Sequence, residues 1–82
     1  MLSEYRIKGL LVVGTKQTLK SLKEDRVIEL YIAQDAENYV IREIKEMAEK
    51  KNIQITQVAS MKKLGKNCGI SVGAAVAGIL KE

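Results

Sequence analysis

The chain has no histidine, no proline, no tryptophan, no phenylalanine and a single cysteine, Cys68. Without histidine there is no imidazole to serve as a general base near neutral pH, and the ligand sets of zinc fingers are excluded. One cysteine cannot form an internal disulfide, which suits a reducing cytosol. With no proline, no repeat and no low-complexity stretch, nothing reads as a linker, so the 82 residues are expected to form one domain. Long apolar runs are missing too. The longest, residues 72–80, is diluted by Gly and Ala and falls far short of the ~18 residues of a membrane span. The opening Met-Leu-Ser-Glu-Tyr-Arg holds no apolar segment long enough for a signal peptide, so a cytoplasmic protein with no membrane partner is expected.

What is present describes a folded, mildly basic protein. A hydrophobic fraction of 46% with 29% charged residues is that of a globular chain rather than a disordered one. Lys and Arg number 14 against 10 Asp and Glu, a net charge of +4. Residues 1–41 carry six basic and six acidic groups, so the whole excess lies in residues 42–82, with eight basic and four acidic. That bias is compatible with a polyanionic partner without requiring one.

The periodicity predicts alternating helices and strands. Residues 1–8 suit a short helix. Residues 10–13 form an apolar run between Gly9 and Gly14 and read as a buried strand. Thr15 is placed as the N-cap of a helix running from Lys16 to about Asp25, with Leu19 and Leu22 on its apolar side and Lys16, Lys20 and Lys23 on another. Residues 27–33, VIELYIA, suit a central strand covered on both faces. Residues 38–51 give the clearest helix, with Val40, Ile41, Ile44, Met47 and Ala48 in one stripe. Residues 53–58 read as a strand. Ser60 would cap a short helix whose apolar side is Met61, Leu64 and Cys68, ended by Gly69. Residues 72–80 allow helix or strand and are taken as the fourth strand. The expected architecture is α/β, with helices on both faces of a small sheet.

One helix start breaks a local rule. Lys16 and Lys20 stand near the positive end of the helix dipole, a mildly unfavourable place for cations, and no acidic residue occupies positions 15–23. Gly14, Thr15, exposed amides and two lysines together suit an anionic or hydrogen-bond-accepting ligand, and the Gln17 amide offers both donor and acceptor. Taken alone, the feature reads as a solvated basic helix face. A second cluster, Lys62, Lys63 and Lys66, lies at another strand-to-helix junction. Two such junctions favour a shared binding edge at the strand ends, where α/β sheets bind ligands.

Other outlines carry less. Gly9 to Lys16 has the look of a phosphate loop, but Lys does not directly follow the second glycine and the intervening residues are strand-like. Cys68 has no histidine to activate it and reads as a buried apolar residue. Asp35 is weighed as a catalytic acid and read as a turn or capping residue. Tyr5, Tyr31 and Tyr39 are scattered and suggest no stacking platform. No acid–base set converges, so no enzyme, cofactor or metal site is expected.

Three segments carry a resemblance: VVGTKQTLKSL (residues 12–22), IAQDA (32–36) and VASMKKLGKNCGISVGAA (58–75). The chain resembles the kink-turn RNA-binding ribosomal protein family, whose archaeal large-subunit members are of the L7Ae type, and it is most similar to the short bacterial members of the YbxF type. The resemblance implies a three-layer α/β/α sandwich around a four-stranded mixed sheet. It also implies recognition of a sharply bent RNA motif with tandem sheared G·A pairs beside a three-nucleotide bulge. By position, Gly14 would permit close backbone approach and Thr15 would start the helix. Lys16 and Gln17 would meet guanine edges, and Lys20 a guanine or nearby phosphate. The loop of Val58, Ala59, Ser60 and Met61 would lie against the bulged nucleotides, with Lys62, Lys63 and Lys66 adding charge near the backbone. Core packing is the competing reading for Val58 and Met61. Lys16-Gln17 replaces the Asn-Glu of archaeal and eukaryotic members, Asn38 stands where proline is frequent, and Ala59 where an acidic residue is common. The chain ends without the C-terminal helix of longer members. The expectation is a monomer whose partners are structured RNA and the ribosome. A ribosome-associated structural protein acting mainly through protein contacts, and a small-molecule or nucleotide-binding enzyme using the Gly14 turn, are the rivals.

Overall fold

The computed structural model describes residues 2–36 and 38–82. Eight elements follow in the order α1 (Leu2–Ile7), β1 (Leu11–Val13), α2 (Thr15–Lys23), β2 (Val27–Ala33), α3 (Tyr39–Lys50), β3 (Gln54–Val58), α4 (Met61–Cys68) and β4 (Val76–Leu80). The strands make one sheet in the order β1-β4-β2-β3. β4 runs antiparallel to both β1 and β2, whereas β2 and β3 are parallel. Helices α2 and α3 pack together on the sheet, as do α1 and α4, which gives the expected three-layer sandwich with a mixed sheet.

The core follows from the apolar patterns. Ile41, Ile44 and Ala48 of α3 are buried together with Leu22, Leu30, Ile32, Leu64, Cys68 and Val76. β2 is an inner strand, and its last residues, Ile32 and Ala33, are almost wholly buried. Near its start the β2–β4 register shifts between Val27 and Glu29, and Ile28 is exposed there. A bulge of this kind turns a side chain out of the alternation.

Several sequence expectations are corrected. Thr15 is the first helical residue of α2, not its cap; Gly14 holds the cap position at φ 98°, ψ 158°, a conformation a β-carbon disfavours. On α2 the buried residues are Thr18, Ser21 and Leu22, with Leu19 only half-buried. The last strand begins at Val76, and residues 72–75 form a loop. Met61 is 36% exposed at the start of α4, so it is not a core residue. The expected helix over residues 1–8 is observed as α1; Met1 lies outside the described residues.

Candidate nucleic-acid interface

Strand directions create the interface. β1, β2 and β3 all run one way, so Val13, Ala33 and Val58 finish at one edge, and β4 begins there. Backbone bonds stitch this edge: the Gly14 N–H donates to the Val76 carbonyl (2.9 Å), Ala33 N–H to Ala75 (2.9 Å) and Gln34 N–H to Val58 (2.8 Å). Three helices, α2, α3 and α4, therefore start at the same edge. None has an acidic residue in its first turn, so the positive ends of their dipoles are not offset from within.

Two of those starts are closed. Asn38 caps α3, its Oδ1 accepting from the Ile41 N–H at 3.0 Å. Ser60 caps α4 by accepting from the Lys63 N–H at 3.1 Å, and Asp35 Oδ1 accepts from the Met61 N–H at 2.7 Å. Asp35 is thus a capping residue, as read from the sequence, but for a helix reached only through the fold. The α2 start is open. Gly14 makes no side-chain cap, and a β-carbon built on it would meet nothing within 4 Å, so its backbone borders open space. Lys16, Gln17 and Lys20 are exposed around it, while Gly14 and Thr15 are half-buried. Neither Lys16 nor Lys20 has an ion-pair partner among the described residues.

The ten residues expected to bind RNA fall into two groups on this edge. Gly14, Thr15, Lys16, Gln17 and Lys20 cluster at the end of β1. Val58, Ala59, Ser60, Lys62 and Lys63 cluster at the end of β3, on the far side of the sheet. Three strand spacings, roughly 14 Å, separate the two edge strands. Ala59, Lys62 and Lys63 are exposed. Val58 is half-buried against the core, and the Ser60 hydroxyl is committed to its cap.

The loop of residues 69–75 lies between the two groups, and its part from residue 72 to 75 was missed because β-branched Val72 was assigned to the last strand. Its place is enforced by α4. A β-carbon on Gly65 would fall 2.0 Å from the Val72 carbonyl oxygen, so only glycine lets the loop approach this closely. The Ala74 N–H donates to the Met61 carbonyl at 2.9 Å, and Val72 itself is 68% exposed. Gly69, at φ 78°, ends α4 in the left-handed conformation and launches the loop. The glycine pair at 69 and 73 was the available signal for a loop. An open hollow of about 570 Å³ beside the start of α3, lined by Ala36, Asn38, Ile41, Arg42 and Lys45, was also missed. Its two cations come from the wet side of the α3 stripe.

The chemistry of this edge is that of binding. Exposed lysines donate to phosphates or to guanine O6 and N7, and a glutamine both donates and accepts. Cys68 is buried and burial pushes its thiol up, which leaves it a poor nucleophile. Among the described residues no cluster of three or more Cys, Asp or Glu could hold a metal ion, and no helix is long and apolar enough to cross a membrane.

Known proteins resemble this chain in sequence and in fold. An RNA-binding protein of Halalkalibacterium halodurans is 55% identical over 71 residues, 87% of each chain. The RNA-binding protein YbxF of Geobacillus stearothermophilus is 47% identical over 73 residues, 89% of each chain. These relatives are named for RNA binding and not for an enzymatic activity. The solved structure of a Giardia lamblia 15.5 kDa RNA-binding protein superposes with a TM-score of 0.89 at 23% identity, covering 99% of this chain and 68% of that one; the likeness is one of fold. A family model matches residues 2–82, and by it the chain belongs to the ribosomal protein L7Ae/L30e/S12e/Gadd45 family.

Proposed function

We propose that the protein recognises and stabilises kink-turn RNA through its tandem sheared G·A pairs, without catalysis, as a single-domain monomer in the cytoplasm. The observation that carries this reading is the open start of α2. Of the three helices that begin on the edge, it alone has no side-chain cap, and it alone presents Lys16, Gln17 and Lys20 together. Its free amides and dipole favour an acceptor-rich or anionic partner. Lys16 and Gln17 read guanine edges in the widened groove, where non-duplex geometry exposes them. Lys20 meets a guanine or phosphate, with Gly14 and Thr15 allowing the backbone to approach. Val58, Ala59 and Ser60 face the bulge, while Lys62 and Lys63 hold the flanking backbone electrostatically. Because the protein binds only the bent RNA, it favours that state by the difference in its affinities for the two forms. The family's ribosomal name makes ribosomal RNA the first natural RNA to test.

The test is energy transfer across a doubly labelled kink-turn RNA at two salt concentrations, against the same RNA with Watson–Crick pairs in place of G·A. Bending of the first RNA with no response from the second is the expected result. Equal binding of both, fading together with salt, would show that only the basic charge acts and would overturn the reading.

A further inference from the structure

Tyr5 and Tyr31, remote in sequence, share one hollow on the side of the sheet that carries α1 and α4. It measures about 340 Å³ and is lined by Leu2, Tyr5, Tyr31, Thr56, Val58 and Asn67. The register explains the convergence. Tyr31 is paired with Thr56 and Ala33 with Val58, so alternation puts Tyr31, Thr56 and Val58 on one side of β2 and β3. Helices α1 and α4 cover that side, but they are only six and eight residues long, and the β2–β3 surface is left accessible between them. Tyr5 reaches it from α1 and is 39% exposed; Asn67 reaches it from the last turn of α4.

The lining is neither a plain apolar groove nor a charged one. Two tyrosine rings are part of the lining, and aromatic rings are the groups on which bases stack. The Thr56 hydroxyl and the Asn67 amide donate and accept around them. The Tyr31 hydroxyl donates to Glu29 at 2.8 Å, which fixes the ring; burial and that carboxylate push its pKa up to about 12, so the ring stays neutral at any working pH. The volume is at the small end of ligand pockets, suited to one planar heterocycle with part of its sugar. Two features select an RNA occupant. Val58 belongs both to the hollow and to the loop proposed to face the RNA bulge, so the hollow continues that interface. Lys63 stands one helical turn before Asn67 on the same side of α4, in a helix with three lysines and no acidic residue.

We propose that the hollow is a second nucleotide site, in which an unpaired nucleotide flanking the kink-turn stacks its base on Tyr5 and Tyr31 and sets its phosphate near Lys63. This rests on the RNA-binding reading above. Base–aromatic stacking tolerates any base and suits a single-stranded flank.

The test has two arms. Adenosine 5′-monophosphate is titrated into the ¹⁵N-labelled protein while the Thr56 and Val58 amides and the Asn67 side-chain amide are followed by NMR. Saturable shifts at all three, weakened about tenfold by Tyr5→Ala, are expected; no shift at these positions overturns the site. In the second arm a kink-turn RNA with a single-stranded adenosine extension is compared with its blunt form. The extension should tighten binding about fivefold to tenfold in the native protein. Tyr5→Ala should cancel that gain while bending the blunt RNA normally, and Asn67→Ala should cancel part of it. No gain from the extension, or an equal loss on both RNAs, overturns the proposal. If the blunt RNA is never bent, the kink-turn reading fails, and the nucleotide titration still decides the hollow by itself.

Discussion

At the edge where β1, β2 and β3 finish, α2 begins on an uncapped glycine and displays Lys16 and Lys20 with no ion-pair partner among the described residues. At the opposite edge, where α2 and α3 finish, a single lysine closes both helices. Lys51 Nζ donates to the Leu22 carbonyl at 2.8 Å and pairs with Asp25, while its own position is the C-cap of α3. Asp25 and Asn52 turn the chain there at φ 58° and 57°, a conformation Asp and Asn tolerate better than most residues. A cation near a helix C-terminus is favourable; one near an N-terminus is not. The same residue type therefore supports the fold at one end and is exposed without an ion-pair partner among the described residues at the other. Thr18, one turn into α2, adds to the contrast: its hydroxyl is fully buried with no hydrogen-bond partner among the described residues.

The largest expected effect tests whether the proposed binding edge has rigid support of its own. Gly65→Ala would push a β-carbon onto the Val72 carbonyl, and backbone on one side must move. Overpacking of this kind costs roughly 3 kcal/mol, which for a domain of this size lowers Tm by more than ~10 °C. Thermal denaturation followed by circular dichroism measures it. An unchanged Tm would mean that the loop of residues 69–75 is not held by α4.

Gly14→Ala comes next. The space beside Gly14 is open, so the cost is conformational: at φ 98° a β-carbon is strained by on the order of 1–3 kcal/mol. Stability should fall by that amount, and kink-turn affinity should fall further because the α2 start shifts. Equal losses in the two measurements would assign Gly14 to the fold alone.

Lys16→Glu separates the two roles most cleanly. A carboxylate at the α2 start suits the dipole and should stabilise the protein by roughly 0.3–1 kcal/mol at low salt, while kink-turn binding is lost. Gln17→Ala, which leaves the charge unchanged, should cost on the order of 1–3 kcal/mol of affinity with no change in Tm. Calorimetric melting and RNA titration of the same samples check both. A destabilised Lys16→Glu would mean that Lys16 serves the fold after all.

How much of this was legible beforehand depends on the range of the interaction. The α3 stripe, the Ser60 cap, the Gly69 stop and the buried Cys68 are written in residues a turn or two apart, and they are found as read. The lysine clusters were visible because charges that oppose a helix dipole stand out within a few residues. What escaped is long-range. Asp35 caps α4 rather than its own neighbourhood, because β2 and β3 are parallel neighbours and bring the two loops together. Tyr5 and Tyr31 looked scattered until the β2–β3 register and the packing of α1 placed them in one hollow. Residues 72–75 of the loop were hidden by composition, since Val72 suits a strand and the alanines a helix; Gly69 and Gly73 hinted at a turn, and the Gly65 contact fixes it. Placing the cap at Thr15 rather than Gly14 is a one-residue error with a physical cause: threonine is the better capping side chain, but the left-handed approach to α2 admits only glycine.

The smallest effect belongs to the supporting edge and depends on pH. Hydrogen bonding and attraction from Lys51 hold the Asp25 carboxyl below its ordinary pKa. A carboxylate with a lowered folded pKa stabilises the protein only while it is ionised. Its contribution is complete above about pH 4 and is lost as the pH falls through the lower, folded value. Asp25→Asn keeps a side chain suited to φ 58° and removes only the charge, so the backbone turn does not confound the comparison. The native protein should therefore melt slightly above the variant by a constant margin from pH 7 down to about 5, with the margin closing below about pH 4. Kink-turn binding at neutral pH should be the same for both. A margin that persists at the lowest pH would mean that Asp25 supports the α2 end by something other than its charge, and a loss of RNA affinity would mean that the two edges are not independent.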